Sequence, residues 1–389
     1  LECGVALLLA TALQKANMTK EIEIKIERLL RLCADQDLGG VLLNTQPNFA
    51  WLSAGGTNGV DSSRDAGVAT LFVQRDGKRF VLANKIEMAR ITTEELQGQG
   101  YEPVEFAWEE EKANPELVAQ LAHGLTTANV VIGADYSAGT GTRQIDAAIS
   151  RERYQLTPEE IDRFRSLGAD AGAAIGNMVR ELKPGLAEFE VARMAVDALA
   201  KVGATSVVTL VAADERLQRY RHPVPKNEIW RNVLMVVVCA RRNGLIASLT
   251  RLVSAGKTTA DLRLRVEACA QVNAQLFAAT RPGTLGSELY ETAARGYQAA
   301  GFPGEEHLHH QGGAAGYRTR DWVAHQKCSE KVSERQAFAW NPSVSGAKVE
   351  ETCLAFADHV EIITASPGWP TITVKAGDQE YLLPDVLEL

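Results

Sequence analysis

Fifteen residues, His307 to Asp321 (HLHHQGGAAGYRTRD), hold three histidines, a run of small residues, a tyrosine, two arginines and an aspartate. Imidazoles exchange protons near neutrality, and guanidinium forks grip carboxylates. Glycines let a ligand or another strand approach the backbone closely. Three of the chain's seven histidines fall within four positions here, a density that marks the stretch as a candidate site. A solvated loop of the same letters is the alternative that composition leaves open.

Such a stretch needs a scaffold. At 389 residues the chain exceeds a single hydrophobic core, which predicts two domains. Its apolar share of 46% and charged share of 23% suit a soluble globular protein. A net charge of −8 without a long basic run argues against nucleic acid as a partner. Six scattered cysteines without a CxxC pair read as reduced thiols of a cytoplasmic protein, neither a disulfide frame nor a zinc cage. Residues 1–17 lack an initial Met and a basic n-region and are too short to span a bilayer. They read as a leader segment ahead of a start at Met18. No other segment is apolar enough to enter a membrane.

Residues 19–36 carry helical spacing, with Ile24, Leu29, Leu30 and Cys33 able to share one face. Gly39-Gly40 ends that helix, and GVLLN follows as a buried strand. Strands about the Asp76-Gly77 turn, a helix over 87–95, another over 115–123 and the strand NVVIGAD complete an α/β domain over 18–152. SAGTGTRQ imitates a dinucleotide loop, but Gln144 stands at its third glycine, so that reading fails. A second domain, 153–389, opens at LTPEEIDRFR with Thr157 as N-cap, Pro158 at N1 and two glutamates in the first turn. Two helices, three strand blocks (SVVTLVAAD, NVLMVVVCA, GLIASLTRLV), two more helices and further strands follow. This twofold repeat of architecture predicts an α+β domain, an antiparallel sheet with helices on one side.

Six local patterns in this order resemble the creatinase, aminopeptidase P and prolidase family. They are QPNFAWLSAGG, TPEEIDRFR, RYRHPVPKN, NGLIASLTRLV, HHQGGAAGY and GAKVEET, the last similar to that family's Gly-x-Arg-x-Glu-Asp strand. The resemblance covers nearly all of the chain after Met18. It implies a pita-bread C-terminal domain behind a smaller creatinase-like α/β domain. It also implies two metal ions held by two Asp, one His and two Glu, but the matching positions are Val237, Ser248, Gly313, Asn341 and Glu350. Hard divalent ions need several carboxylate or imidazole donors, so one carboxylate predicts no metal centre and no cofactor.

Creatinase cleaves a C–N bond without metal, and the resemblance carries its groups over in part. His222 matches its catalytic histidine, Arg64 an N-domain arginine that reaches the partner subunit's site, Arg320 the arginine after the glycine-rich stretch, and Glu350 its glutamate. A second creatinase glutamate has no counterpart near Lys257 and Thr258. His309 and His310 join His222 as candidate proton-transfer groups, and Tyr317 joins Arg64 and Arg320 as a candidate substrate contact. Arg318 competes with Arg320, because an alternating strand points both the same way. Glu350 and Glu351 are neighbours on a strand, so one of them faces the site, and the resemblance favours Glu350. Thr250 and Arg251 read as structural, and Cys239 as core. The expected function is metal-independent hydrolysis of a C–N bond in a small carboxylate-bearing molecule, by a cytoplasmic homodimer with no nucleic-acid or membrane partner. A non-catalytic binding module and an Xaa-Pro metallopeptidase are the alternatives.

Overall fold

Thr157 opens the second half of the chain as its sequence demands. Its Oγ1 accepts from Glu160 N at 3.3 Å while Glu160 Oε2 accepts from Thr157 N at 2.7 Å. This reciprocal capping box satisfies two orphan donors and starts the helix Pro158–Arg180. The computed structural model describes residues 2–126 and 130–389, and the side chains of residues 2–17 and 19 lie outside that description. The expected leader, 1–17, therefore falls on side chains about which nothing is said. The chain divides into two compact units, Leu1–Arg153 and Tyr154–Leu389.

In the first unit the strands are β1 (Gly40–Thr45), β2 (Ala66–Gln74), β3 (Arg79–Asn84), β4 (Glu102–Phe106), β5 (Ile132–Ala134) and β6 (Thr142–Gln144). Among the described residues they order as β4-β3-β2-β1-β5-β6. The β1–β2 and β2–β3 pairs are antiparallel, and the β3–β4, β1–β5 and β5–β6 pairs are parallel. Gly77 takes the positive φ of +90° that the Asp-Gly turn requires. Asp135 gathers the end of β1, accepting from Asn44 N and Thr45 N at 2.9 Å each and from Asn48 Nδ2 at 2.8 Å. The QPNFAWL segment is thus a helix, Gln46–Leu52, anchored by its buried asparagine.

The second unit contains β7 (Thr205–Ala213), β8 (Val233–Arg242), β9 (Leu245–Ser254), β10 (Gly312–Ala315), β11 (Trp322–Val323) and β12 (Gln336–Trp340). Then come β13 (Ser343–Val344), β14 (Ala347–Lys348), β15 (Glu351–Ala355), β16 (Val360–Ile362), β17 (Thr371–Ala376), β18 (Gln379–Pro384) and β19 (Leu387–Glu388). The expected single antiparallel sheet is two main sheets among the described residues, ordered β19-β9-β8-β7 and β11-β10-β12-β15-β16. All their pairings are antiparallel except β19–β9. The sheets join through β9 and the start of β15: Thr250 N donates to Glu350 O at 3.2 Å, and Thr352 Oγ1 donates to Ser248 O at 2.9 Å. Two helix pairs, Pro158–Arg180 with Glu188–Lys201 and Ala260–Ala279 with Gly286–Ala299, accompany them.

The core between these layers holds Val237, Leu252, Phe277, Phe338, Trp340 and Cys353, with Phe338 and Trp340 stacked at 5.5 Å. At the sheet junction Arg251, 1% exposed, pairs with Glu351 at 2.8 Å and donates to Thr364 O at 2.7 Å and Ser366 Oγ at 2.9 Å. Burial pushes the Glu351 carboxyl upward while Arg251 pulls it down. Arg251 is the structural residue its sequence context suggests. No helix among the described residues is long and apolar enough to cross a membrane.

Candidate functional site

Glu350 is 2% exposed and lies where the two sheets meet. Its Oε2 accepts from Thr250 Oγ1 at 2.7 Å, and Arg320 Nη2 approaches Oε1 at 3.3 Å. Lys348 Nζ, on a side chain 4% exposed, stands 4.0 Å from Oε2. The pleat explains the grouping: Lys348 and Glu350, two residues apart, face one way, and Glu351, the first residue of β15, turns to Arg251. Thr250, read from sequence as structural, is therefore a direct partner of the candidate glutamate. The 316–320 segment is a bend, not the alternating strand expected, and Arg320 is the arginine that reaches Glu350.

Three imidazoles stand beside this charge group. His309 Nε2 lies 3.0 Å from His222 Nε2, and His309 stacks on His310 with ring centroids 4.5 Å apart. His222 is exposed, His310 half-buried and His309 buried, which gives the cluster an open edge and a closed base. Burial, then the nearby Lys348 ammonium, pushes His309 and His222 below the ordinary imidazole range. Burial and Arg320 bring His310 down to about 4. All three are neutral at pH 7, so each offers one nitrogen lone pair and one N–H. Lys348 is held below its usual value by burial and raised by Glu350.

The supports are local. Arg221 binds Glu305 and donates to Ser343 Oγ at 3.1 Å and Ser345 Oγ at 3.0 Å, which ties the His222 segment to β13 and the turn after it. Gln311 Nε2 donates to His309 O, and its Oε1 accepts from Tyr297 OH at 2.5 Å. Tyr317 is directed elsewhere: its hydroxyl donates to Glu160 Oε1 at 2.7 Å, in the capping box of the Pro158–Arg180 helix. It pins the glycine-rich stretch to that helix. Arg64 belongs to the first unit, where its half-exposed side chain pairs with Asp61 at 3.3 Å.

The residues at the five family ligand positions do not fit a dinuclear metal centre. Val237 is core, and Ser248 donates to Cys239 Sγ at 3.2 Å. A Cβ added to Gly313 would stand 2.1 Å from the Trp322 carbonyl oxygen, so the sheet has closed over the place of a side chain. Asn341 offers a buried amide oxygen without a charge, and Glu350 is taken by Arg320 and Thr250. The ring nitrogens of His222, His309 and His310, within 4.8 Å of one another, can hold a single borderline ion, but Lys348 and Arg320 oppose a cation there.

Antiparallel sheets flanked by two helix pairs define a pita-bread fold. Residues 162–363 match the sequence model of metallopeptidase family M24, and the chain belongs to that family. Its fold is similar to that of the Xaa-Pro dipeptidase from Bacillus anthracis (17% identity, 89% of this chain and 98% of that one, TM-score 0.72). It is likewise similar to dipeptidase PepE from Mycobacterium ulcerans (15% identity, 90% and 97% covered, TM-score 0.74). The N-terminal domain of the FACT complex subunit SPT16 from Cicer arietinum shares the fold as well (11% identity, 90% and 96% covered, TM-score 0.68). A comparison with curated protein sequences gives no significant match.

Two residues of this site escaped the sequence reading. Lys348 had a signal, since it occupies the Arg place of the Gly-x-Arg-x-Glu-Asp pattern. Thr250 had none beyond its β-strand neighbours. The Tyr317 contact predicts that Tyr317→Phe loses about 1–3 kcal/mol of stability, because the buried Glu160 Oε1 loses the donor that Tyr317 supplies. Urea unfolding measures this, and a variant of unchanged stability with weakened ligand affinity would return Tyr317 to the substrate.

Proposed function

We propose that this protein is a metal-independent, creatinase-like hydrolase that cleaves a C–N bond in a small molecule carrying a carboxylate. The observation that carries the reading is the His222–His309 contact, 3.0 Å between ring nitrogens, beside the buried Lys348–Glu350–Arg320 group. A neutral imidazole at the open edge can take a proton from water as the oxygen adds to carbon. It can return that proton to the nitrogen as the C–N bond breaks. His309, hydrogen-bonded to His222 from the closed side, orients the ring and sets its tautomer. Glu350 serves as a charge anchor and not as a base, because its oxygens already face two cations and a hydroxyl.

Within this reading the protein works as a cytoplasmic homodimer, in which Arg64 of one chain approaches the pocket of the other. Two-fold dimers are the commonest assembly, and the Arg64 segment resembles that of creatinase. Light scattering tests it: a fully active monomer at micromolar concentration removes the dimer.

The second reading keeps a metal, held by the three histidines, and rests on their 4.8 Å grouping. Elemental analysis separates the two. We expect no stoichiometric divalent ion and a melting temperature unchanged by chelator; one tightly held ion per chain would favour the second. The sharper test is kinetic. His222→Ala should keep the fold and lower turnover by about 100-fold or more, in line with general acid–base catalysis. Near-native turnover would move proton transfer to His309 or His310.

A further inference from the structure

Charge counting in the buried cluster leaves one positive charge over. Counted with Lys348 protonated, as Glu350 favours and burial opposes, Lys348 and Arg320 face Glu350 as the one carboxylate among the groups that act on the three histidines, apart from pairs already neutral. Arg221 is matched by Glu305, and Arg251 by Glu351. The imidazoles are neutral, and the Cys239 thiol, pushed up to about 11 by burial, is neutral too. Arg320 Nε is a buried donor with no acceptor among the described residues, although Nη1 donates to Thr319 O at 2.6 Å. A buried cation in excess, next to an unmatched N–H donor, is costly until an anion completes it or the lysine gives up its proton.

We propose that Lys348 is the specificity-determining cation of this site, which together with Arg320 selects a ligand bearing one negative charge over one bearing two. The inference rests on the functional reading above for the location of the ligand, but it does not rest on turnover. Lys348 is a point charge on β14, at the closed side of the cluster. Arg320 supplies the directional N–H donors, and Glu350 holds both cations in place. A single carboxylate therefore neutralises the cluster, whereas a second would be buried without a partner.

Binding to the chelator-treated full chain tests this by calorimetry at constant ionic strength, with acetate and propionate as monocarboxylates and malonate and succinate as dicarboxylates. Wild type should bind a monocarboxylate saturably at one per chain and a dicarboxylate no more tightly. Lys348→Met should weaken monocarboxylate binding by about tenfold or more, as expected for loss of a charge-assisted contact. Lys348→Arg should restore most of it, which a purely structural role would not do. Should Lys348→Met fail to fold, Lys348→Gln keeps a polar end and tests the same charge. Carboxylate affinity is read without turnover, so failure of the catalytic reading and failure of this one are separate results. Unaltered affinity in folded Lys348→Met or Lys348→Gln, tighter dicarboxylate binding, or no saturable binding to wild type would each overturn the proposal.

Discussion

The second unit is built around one buried carboxylate. Glu350 meets Thr250 from β9, Arg320 from the bend after β10 and Lys348 from β14, so it draws three separated stretches to one point. Its backbone carbonyl also accepts from Thr250, and the main chain therefore repeats the connection that the side chain makes. Breaking a buried ion pair by removing one partner typically costs about 3–5 kcal/mol. The glutamate thus holds the sheet junction and the site together, and neither role can be changed without the other.

Close packing of small residues makes the junction possible. Gly312 takes φ +106°, and a Cβ there would stand 2.1 Å from the Ala339 carbonyl oxygen; Gly313 is equally tight against Trp322. Strand β10 therefore approaches both neighbours without side chains between them, and the histidines just before it are brought against the His222 loop. The same closeness excludes an imidazole at position 313. Loss of the family's metal ligands is thus more than a set of point replacements. Backbone atoms occupy the space a side chain at position 313 would need, and the Lys348 and Arg320 side chains stand beside the Glu350 carboxylate.

Much of this was legible in the chain itself. Thr157, Pro158 and Glu160 specify a helix start through contacts three residues apart, and the alternation around Glu350 and Glu351 assigns them to opposite faces. The order of six motifs carried the fold and family, because each motif reflects a local turn, strand or cap. Arg320 and Glu350 were named from that order and stand together in the structure. Tyr317 was named only as a substrate contact because the sequence cannot show that Glu160, 157 positions away, accepts from its hydroxyl. Thr250 was passed over for the same reason: a strand threonine is ordinary until its partner is known.

The sequence alone determined the elements, their caps and their order, since all of these depend on residue type and short spacing. Only the tertiary structure decided that His222 meets His309, 87 positions on, that Arg320 reaches the glutamate, and that the buried Lys348 amine stands beside it. The physical reason is range. Periodicity and capping act within a few residues, whereas charge balance in a buried site depends on which groups the folded chain brings within about 4 Å, where a low local dielectric makes each of them count.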